Sequence, residues 1–160
     1  GRTLGSIGCG RIGGRVAEMA KALGMRVIAY SRRGVDASVA QYADLSTLLA
    51  TADVISLHCP STPETRNLLD GEAFAQMKDG AMVINTARGA VIDHDALLDA
   101  LRSGKVGGAG LDVFAEEPSA NHALYSHPMV ACTPHIGAST DTAQDGIGAE
   151  LVELLNHFPF

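Results

Sequence analysis

Short apolar runs alternate with stretches of helical period along this chain. Residues 3–7, 25–30, 54–57, 81–85, 106–113 and 129–132 are brief and largely apolar, which predicts six strands. Residues 11–23 place Ile12, Val16, Met19, Ala20 and Leu23 at the spacing of one helix face, with Gly24 as the stop. Further helices are predicted at 46–50, at 71–77 behind the cap Asp70, at 96–101 behind Asp93 or Asp95, and at 140–155 behind Ser139 or Asp141. Asp36, just before Ala37-Ser38-Val39-Ala40, reads as one more helix cap. Strand and helix in alternation predict an α/β fold: a Rossmann-type doubly wound parallel sheet with helices on both faces, one domain over residues 1–160.

The first strand-to-helix turn reads Gly8-Cys9-Gly10-Arg11-Ile12-Gly13. A G-x-G-x-x-G pattern is weak alone in a chain with 18 glycines, but here a strand precedes it and a helix follows. Gly8 permits the tight turn, Gly10 lets a pyrophosphate approach the backbone, and Gly13 lets the helix lie close to the strand. The helix N-terminus offers unpaired N–H groups to the phosphates. A dinucleotide is therefore the expected ligand. A carboxylate about twenty residues on, at the end of the second strand, would hydrogen-bond the ribose 2′-hydroxyl of NAD. Tyr30-Ser31-Arg32-Arg33 stands there instead. The Ser31 hydroxyl and two guanidiniums suit a 2′-phosphate, which favours NADP over NAD, although the same arginines also read as solvated loop charges.

Composition narrows the partners. The net charge is −6, there is no tryptophan, and aromatic residues make up only 4%, so neither a nucleic-acid surface nor an anionic membrane surface is expected. No apolar run is long enough to span a bilayer and no signal-peptide pattern opens the sequence, so the expected location is cytoplasmic. Cys9, Cys59 and Cys132 lack metal-ligand spacing and read as small, half-buried free thiols in a reducing compartment, with no metal site.

Three later segments also follow predicted strands: Asn85-Thr86-Ala87-Arg88-Gly89, the run from Gly110 through Asp112 to Glu116-Glu117-Pro118, and Thr133-Pro134-His135-Ile136-Gly137-Ala138-Ser139-Thr140. With the glycine loop and Asp53-Val54-Ile55-Ser56-Leu57-His58-Cys59-Pro60, they resemble the cofactor domain of the D-isomer-specific 2-hydroxyacid dehydrogenases over essentially the whole chain. Gly137-Ala138-Ser139-Thr140 followed by Ala143-Gln144 is most similar to phosphoglycerate dehydrogenases, with glyoxylate or hydroxypyruvate reductases as the alternative. The Ser31-Arg32 pair departs from the acidic residue usual in the former.

The resemblance implies that His135 is the acid/base that exchanges a proton with the substrate hydroxyl, that Glu117 holds its imidazole, and that Arg88 binds the substrate carboxylate and carbonyl oxygen. Glu116 is the competing carboxylate; Glu117 directly precedes Pro118, as in the family pattern. The cofactor contacts implied are Arg11, Ile12, Ser31, Cys59 and Thr86, then Ala87, Asp112 toward the nicotinamide end, Gly137 and Ala138. Family members carry a second, substrate-binding domain, and nothing here resembles it. The 160 residues are thus expected to bind dinucleotide yet turn over a small 2-hydroxy or 2-oxo acid poorly alone. A homodimer is implied as well. A dinucleotide-sensing module without catalysis is the rival on the same fold.

Overall fold

Thr3–Ile7 (β1) is buried at all five positions, as a parallel strand covered on both faces requires. The computed structural model describes residues 1–158, and the last two residues of the sequence lie outside it. Arg11–Ala22 (α1) carries the chain back to Arg26–Tyr30 (β2), and Gln41–Tyr42 (β3) adds a two-residue strand beyond it. Then follow Leu45–Thr51 (α2), Val54–Leu57 (β4), Gly71–Gln76 (α3), Ala81–Asn85 (β5) and His94–Arg102 (α4). Val106–Leu111 (β6), His122–Tyr125 (α5), Val130–Cys132 (β7) and Asp141–Asn156 (α6) complete the described elements. The strand order is β3-β2-β1-β4-β5-β6-β7, with every pair parallel. The chain winds outward from β1 to β3, then returns to β4 on the other side of β1. That reversal is the doubly wound arrangement expected from the sequence, with its switch point between β1 and β4.

Alternating side chains feed two cores of unequal size. Ile7, Ile28, Ile55 and Leu57 belong to the larger one, with Leu48, Leu49, Phe74 and Leu97 from α2, α3 and α4. Leu4, Val27 and Ala29 belong to the smaller one, with Ala17 and Ala20 of α1. The sequence misleads about that helix. Ile12, Met19 and Leu23 are 70%, 59% and 81% exposed, and the buried positions are Gly13, Ala17 and Ala20. The reason is proximity: a Cβ on Gly13 would collide with the Gly8 carbonyl oxygen, so only small residues fit on the side facing the sheet.

Other departures are local. Asp36 caps no helix; its carboxylate accepts from the Ser38 amide at 2.8 Å and from the Ser38 hydroxyl, closing a single turn ahead of β3. β3 itself had no apolar run to announce it. Thr140 caps α6 by accepting from the Ala143 amide, in place of Ser139 or Asp141. Asp93 rather than Asp95 caps α4, and Asp44 caps α2. β6 stops at Leu111, short of the expected Val113, although the Asp112 amide still donates to the Asn85 carbonyl at 2.9 Å. Cys132 is exposed rather than half-buried. Among the described residues no helix is long and apolar enough to cross a membrane.

Gly89 opens a short 3-10 turn, Gly89–Val91, and is buried against the Phe114 carbonyl, where an added Cβ would overlap backbone. Gly89→Ala should therefore lower unfolding free energy by about 3 kcal/mol in urea titration, since neither backbone can yield cheaply. An unchanged midpoint would mean that the contact is loose.

Candidate active site

Parallel register decides which loops meet. Ile7 pairs with Tyr30 and with Leu57, Leu57 with Asn85, Asn85 with Leu111, and Leu111 with Cys132. The next residues, Ser31, Gly8, His58, Thr86, Asp112 and Thr133, therefore emerge along one edge of the sheet, where doubly wound folds bind ligands.

A cleft of 480 Å³ opens at the switch point, lined among others by Gly8, Gly10, Ser31, Arg32, Arg33 and Cys59. Gly8 has a φ of +95°, and its amide donates to the Tyr30 carbonyl at 2.8 Å. A Cβ there would sit 2.7 Å from the His58 carbonyl. Gly10 faces open space, and as N-cap it offers α1 no side-chain cap. The first amides of α1, at Arg11, Ile12 and Gly13, are thus left for a ligand, and the cradle fits a pyrophosphate. Arg11 pairs with Glu150 of α6 at 3.3 Å, and Arg32 with Glu64 at 3.4 Å. The Arg33 amide donates to the Ser31 hydroxyl at 3.4 Å. Burial pushes the Cys9 and Cys59 thiols up, away from the reactive thiolate. His58 is largely buried, which lowers its pKa, and its Nε2 meets the Ser56 hydroxyl at 2.9 Å.

Further along the edge, His135 Nδ1 lies 2.7 Å from Glu117 Oε2. The other Glu117 oxygen accepts from the Phe114 amide at 3.0 Å. The His135 hydrogen bond, followed by that amide, holds the Glu117 carboxyl below the usual range. Glu116 lies apart, in a depression with His94 and Asn121. The His135–Glu117 pair borders a second cleft of 470 Å³ with Phe114, Tyr125 and Cys132. With Nδ1 engaged by a carboxylate, Nε2 is the ring nitrogen left to meet a substrate.

His135 has a φ of +57°, a left-handed conformation uncommon outside glycine that its loop is constrained to keep. Asp112 supplies that constraint. One of its oxygens accepts from the Thr133 hydroxyl and the Ile136 amide, and the other from the Gly137 amide at 3.0 Å. Burial raises its pKa, but these three bonds outweigh burial and the net shift is downward. The Ala138 carbonyl accepts from Gln144 of α6. Asn85, fully buried, shapes the neighbouring loop: its amide nitrogen donates to the Arg88 carbonyl and its oxygen accepts from the Ala87 amide, both at 3.0 Å. Thr86 and Arg88 are exposed there, and the Arg88 guanidinium folds back onto the Ala87 carbonyl. Arg88 lines neither cleft, but its neighbour Gly89 abuts Phe114, whose amide holds Glu117. Sequence reasoning missed the anchoring by Asn85 and Thr133 and the placement of Glu64; none of the three belongs to a catalytic pattern.

A glycine-rich turn at the switch point of a doubly wound sheet defines a dinucleotide-binding domain. Residues 1–137 match the family described as D-isomer specific 2-hydroxyacid dehydrogenase, NAD binding domain, and the chain belongs to that family. It is 49% identical over 157 residues to a hydroxypyruvate reductase of Thermotoga maritima, covering 96% of this chain and 51% of that protein. It is 48% identical to a D-3-phosphoglycerate dehydrogenase of Mycobacterium leprae, covering 96% of this chain and 30% of that protein. A solved glyoxylate reductase from Paecilomyes thermophila superposes with a TM-score of 0.92 at 40% identity, covering 98% of this chain and 48% of the other. The chain thus spans about half the length, or less, of these relatives.

Asp112→Asn keeps the shape but removes the charge that three donors share. Its Tm should fall by about 5 °C at pH 7, as expected for weakened bonds to a charged acceptor. The native carboxyl titrates below its unfolded value, so its stabilisation is present above the unfolded value and lost as pH falls through the native one. The gap between wild type and variant should therefore shrink below about pH 4, measured by melting across a pH series. A gap that widens in acid would refute this reading of Asp112.

Proposed function

We propose that the chain is the cofactor half of an oxidoreductase that transfers a hydride between a nicotinamide dinucleotide and a D-2-hydroxy acid, acting on a substrate of the phosphoglycerate, glyoxylate or hydroxypyruvate kind. The observation that carries this reading is the 2.7 Å His135–Glu117 bond, formed on the same sheet edge as the glycine loop. When bound, the nicotinamide supplies the hydride chemistry; the side chains bind, orient and move the proton. Oxidation of the hydroxyl leaves one proton, which His135 Nε2 accepts and returns in the reverse direction. Glu117 fixes the tautomer and stabilises the imidazolium. Arg88, turned outward from its present contact, orients the substrate carboxylate with its planar fork.

The cradle at Gly8, Gly10 and the first amides of α1 receives the pyrophosphate, with Arg11 and Ile12 beside it. Thr86, Ala87, Gly137 and Ala138 border the nicotinamide end. Of the two dinucleotides we favour NADP, because Ser31, Arg32 and Arg33 supply a hydroxyl and two cations where an acid would serve NAD. The substrate's far end would be read by a second domain, so the 160-residue chain itself binds more than it turns over. A homodimer is included in the proposal; it would give α6, which buries no residue and exposes Ile147, Leu151 and Leu154, a face to cover. Three free thiols suit the reducing cytoplasm.

In a two-domain enzyme carrying this cofactor domain, His135→Ala should cut kcat by about 10²- to 10⁴-fold. Near-normal turnover would remove the acid/base role. Calorimetric titration of the chain should give a dissociation constant about tenfold lower for NADP than for NAD, from charge-assisted bonds to the extra phosphate. Tighter NAD would overturn the cofactor preference and leave the reaction class standing.

A further inference from the structure

The Ser31-Arg32-Arg33 turn shares its cleft with a carboxylate. Glu64 lines the same cleft from the segment after β4, and its Oε2 stands 3.4 Å from the Arg32 guanidinium. The segment that carries it is fixed. The Thr62 amide donates to the Thr65 hydroxyl at 2.7 Å, that hydroxyl donates to the Pro60 carbonyl at 2.7 Å, and the Thr65 and Arg66 amides both return to the Thr62 carbonyl. Thr65 is buried beneath this turn. The Thr62 hydroxyl also donates to Glu64 Oε2 at 2.7 Å, so the carboxylate is aimed rather than loose. That bond, with the Glu64 backbone amide and Arg32 after it, lowers the carboxyl's pKa from its ordinary value.

From this arrangement we propose that Glu64 tunes dinucleotide choice, by occupying Arg32 as an internal rival to a ribose 2′-phosphate. The proposal rests on the reading that Ser31, Arg32 and Arg33 receive that phosphate. A 2′-phosphate brings close to two negative charges at pH 7. It must either draw Arg32 away from Glu64 or bind beside a fixed carboxylate. A bare ribose hydroxyl meets neither cost. Glu64 therefore acts against the preference that the turn creates, and the measured balance between NADP and NAD is the difference between the two. Both partners are about half exposed, 54% for Arg32 and 63% for Glu64, so solvent keeps the rivalry modest.

Glu64→Gln is the direct test, since the amide keeps an oxygen for Thr62 and loses the charge. The probes are 2′,5′-ADP and 5′-AMP, which differ at the ribose 2′ position and carry no nicotinamide. Titration calorimetry on the chain gives the ratio of their dissociation constants, and thermal melting verifies that each variant is folded. Glu64→Gln should lower the ratio of the 2′,5′-ADP constant to the 5′-AMP constant by about three- to tenfold, the scale of one partly screened charge pair. On an Arg32→Ala background the same substitution should move the ratio by less than about twofold, because pairs that share a partner are not additive. An unchanged or raised ratio in the single variant overturns the proposal. So does a drop that persists without Arg32, which would mean general repulsion rather than rivalry. Arg32→Ala in the presence of Glu64→Gln tests the reading underneath: a ratio unmoved by losing Arg32 means that the phosphate does not meet it. If Arg32→Ala raises the ratio while Glu64→Gln does nothing, the phosphate site stands and only the role of Glu64 falls.

Discussion

Tyr30, Ile7, Leu57, Asn85, Leu111 and Cys132 are held side by side by the backbone hydrogen bonds of one parallel sheet, and each is followed by a residue of the site. Gly8 meets the His58 backbone because β1 and β4 are neighbours, and Asp112 reaches Thr133 because β6 and β7 are. A one-residue slip between two of these strands would turn an inward side chain outward and displace the following loop together with it. The two cores exist to hold that register, which is why the central strands are buried on both sides.

The loops on this edge are then tightened by polar groups that do no chemistry themselves. Asn85 binds both ends of the turn bearing Thr86, Ala87 and Arg88. Asp112 gathers Thr133, Ile136 and Gly137 around His135. Phe114 gives its amide to Glu117 and its carbonyl face to Gly89, linking the arginine loop to the acid/base pair. Asn85 and Asp112 follow one rule: a buried acceptor just at or past a strand end takes loop amides that have no ladder to join.

The β–α alternation and the glycine loop were legible in the sequence because each has a strong local signal, whereas the preference for Glu117 over Glu116 came from the family resemblance and not from a local pattern. The buried face of α1 was not. Periodicity favours large apolar residues, whereas close approach at Gly8 admits only Gly13, Ala17 and Ala20, and Ile12, Met19 and Leu23 point outward. β3 has two residues, too few for a period. The helix expected after Asp36 failed because the same Asx chemistry closes a single turn equally well. The anchoring roles of Asn85 and Asp112 left no trace, since bonds to backbone amides impose no pattern on the residues that donate them. Glu64 was invisible for a further reason: its partner Arg32 lies 32 positions away and meets it only through the fold.

The left-handed backbone at His135 sets stability against chemistry at one position. Glycine would relieve the strain there, and asparagine would tolerate it better than most residues do. Either would leave the carboxylate of Glu117 without its imidazole. Random substitution screened for thermal resistance alone would therefore favour glycine here, whereas under the proposed acid/base role selection for turnover would keep the histidine in spite of its backbone.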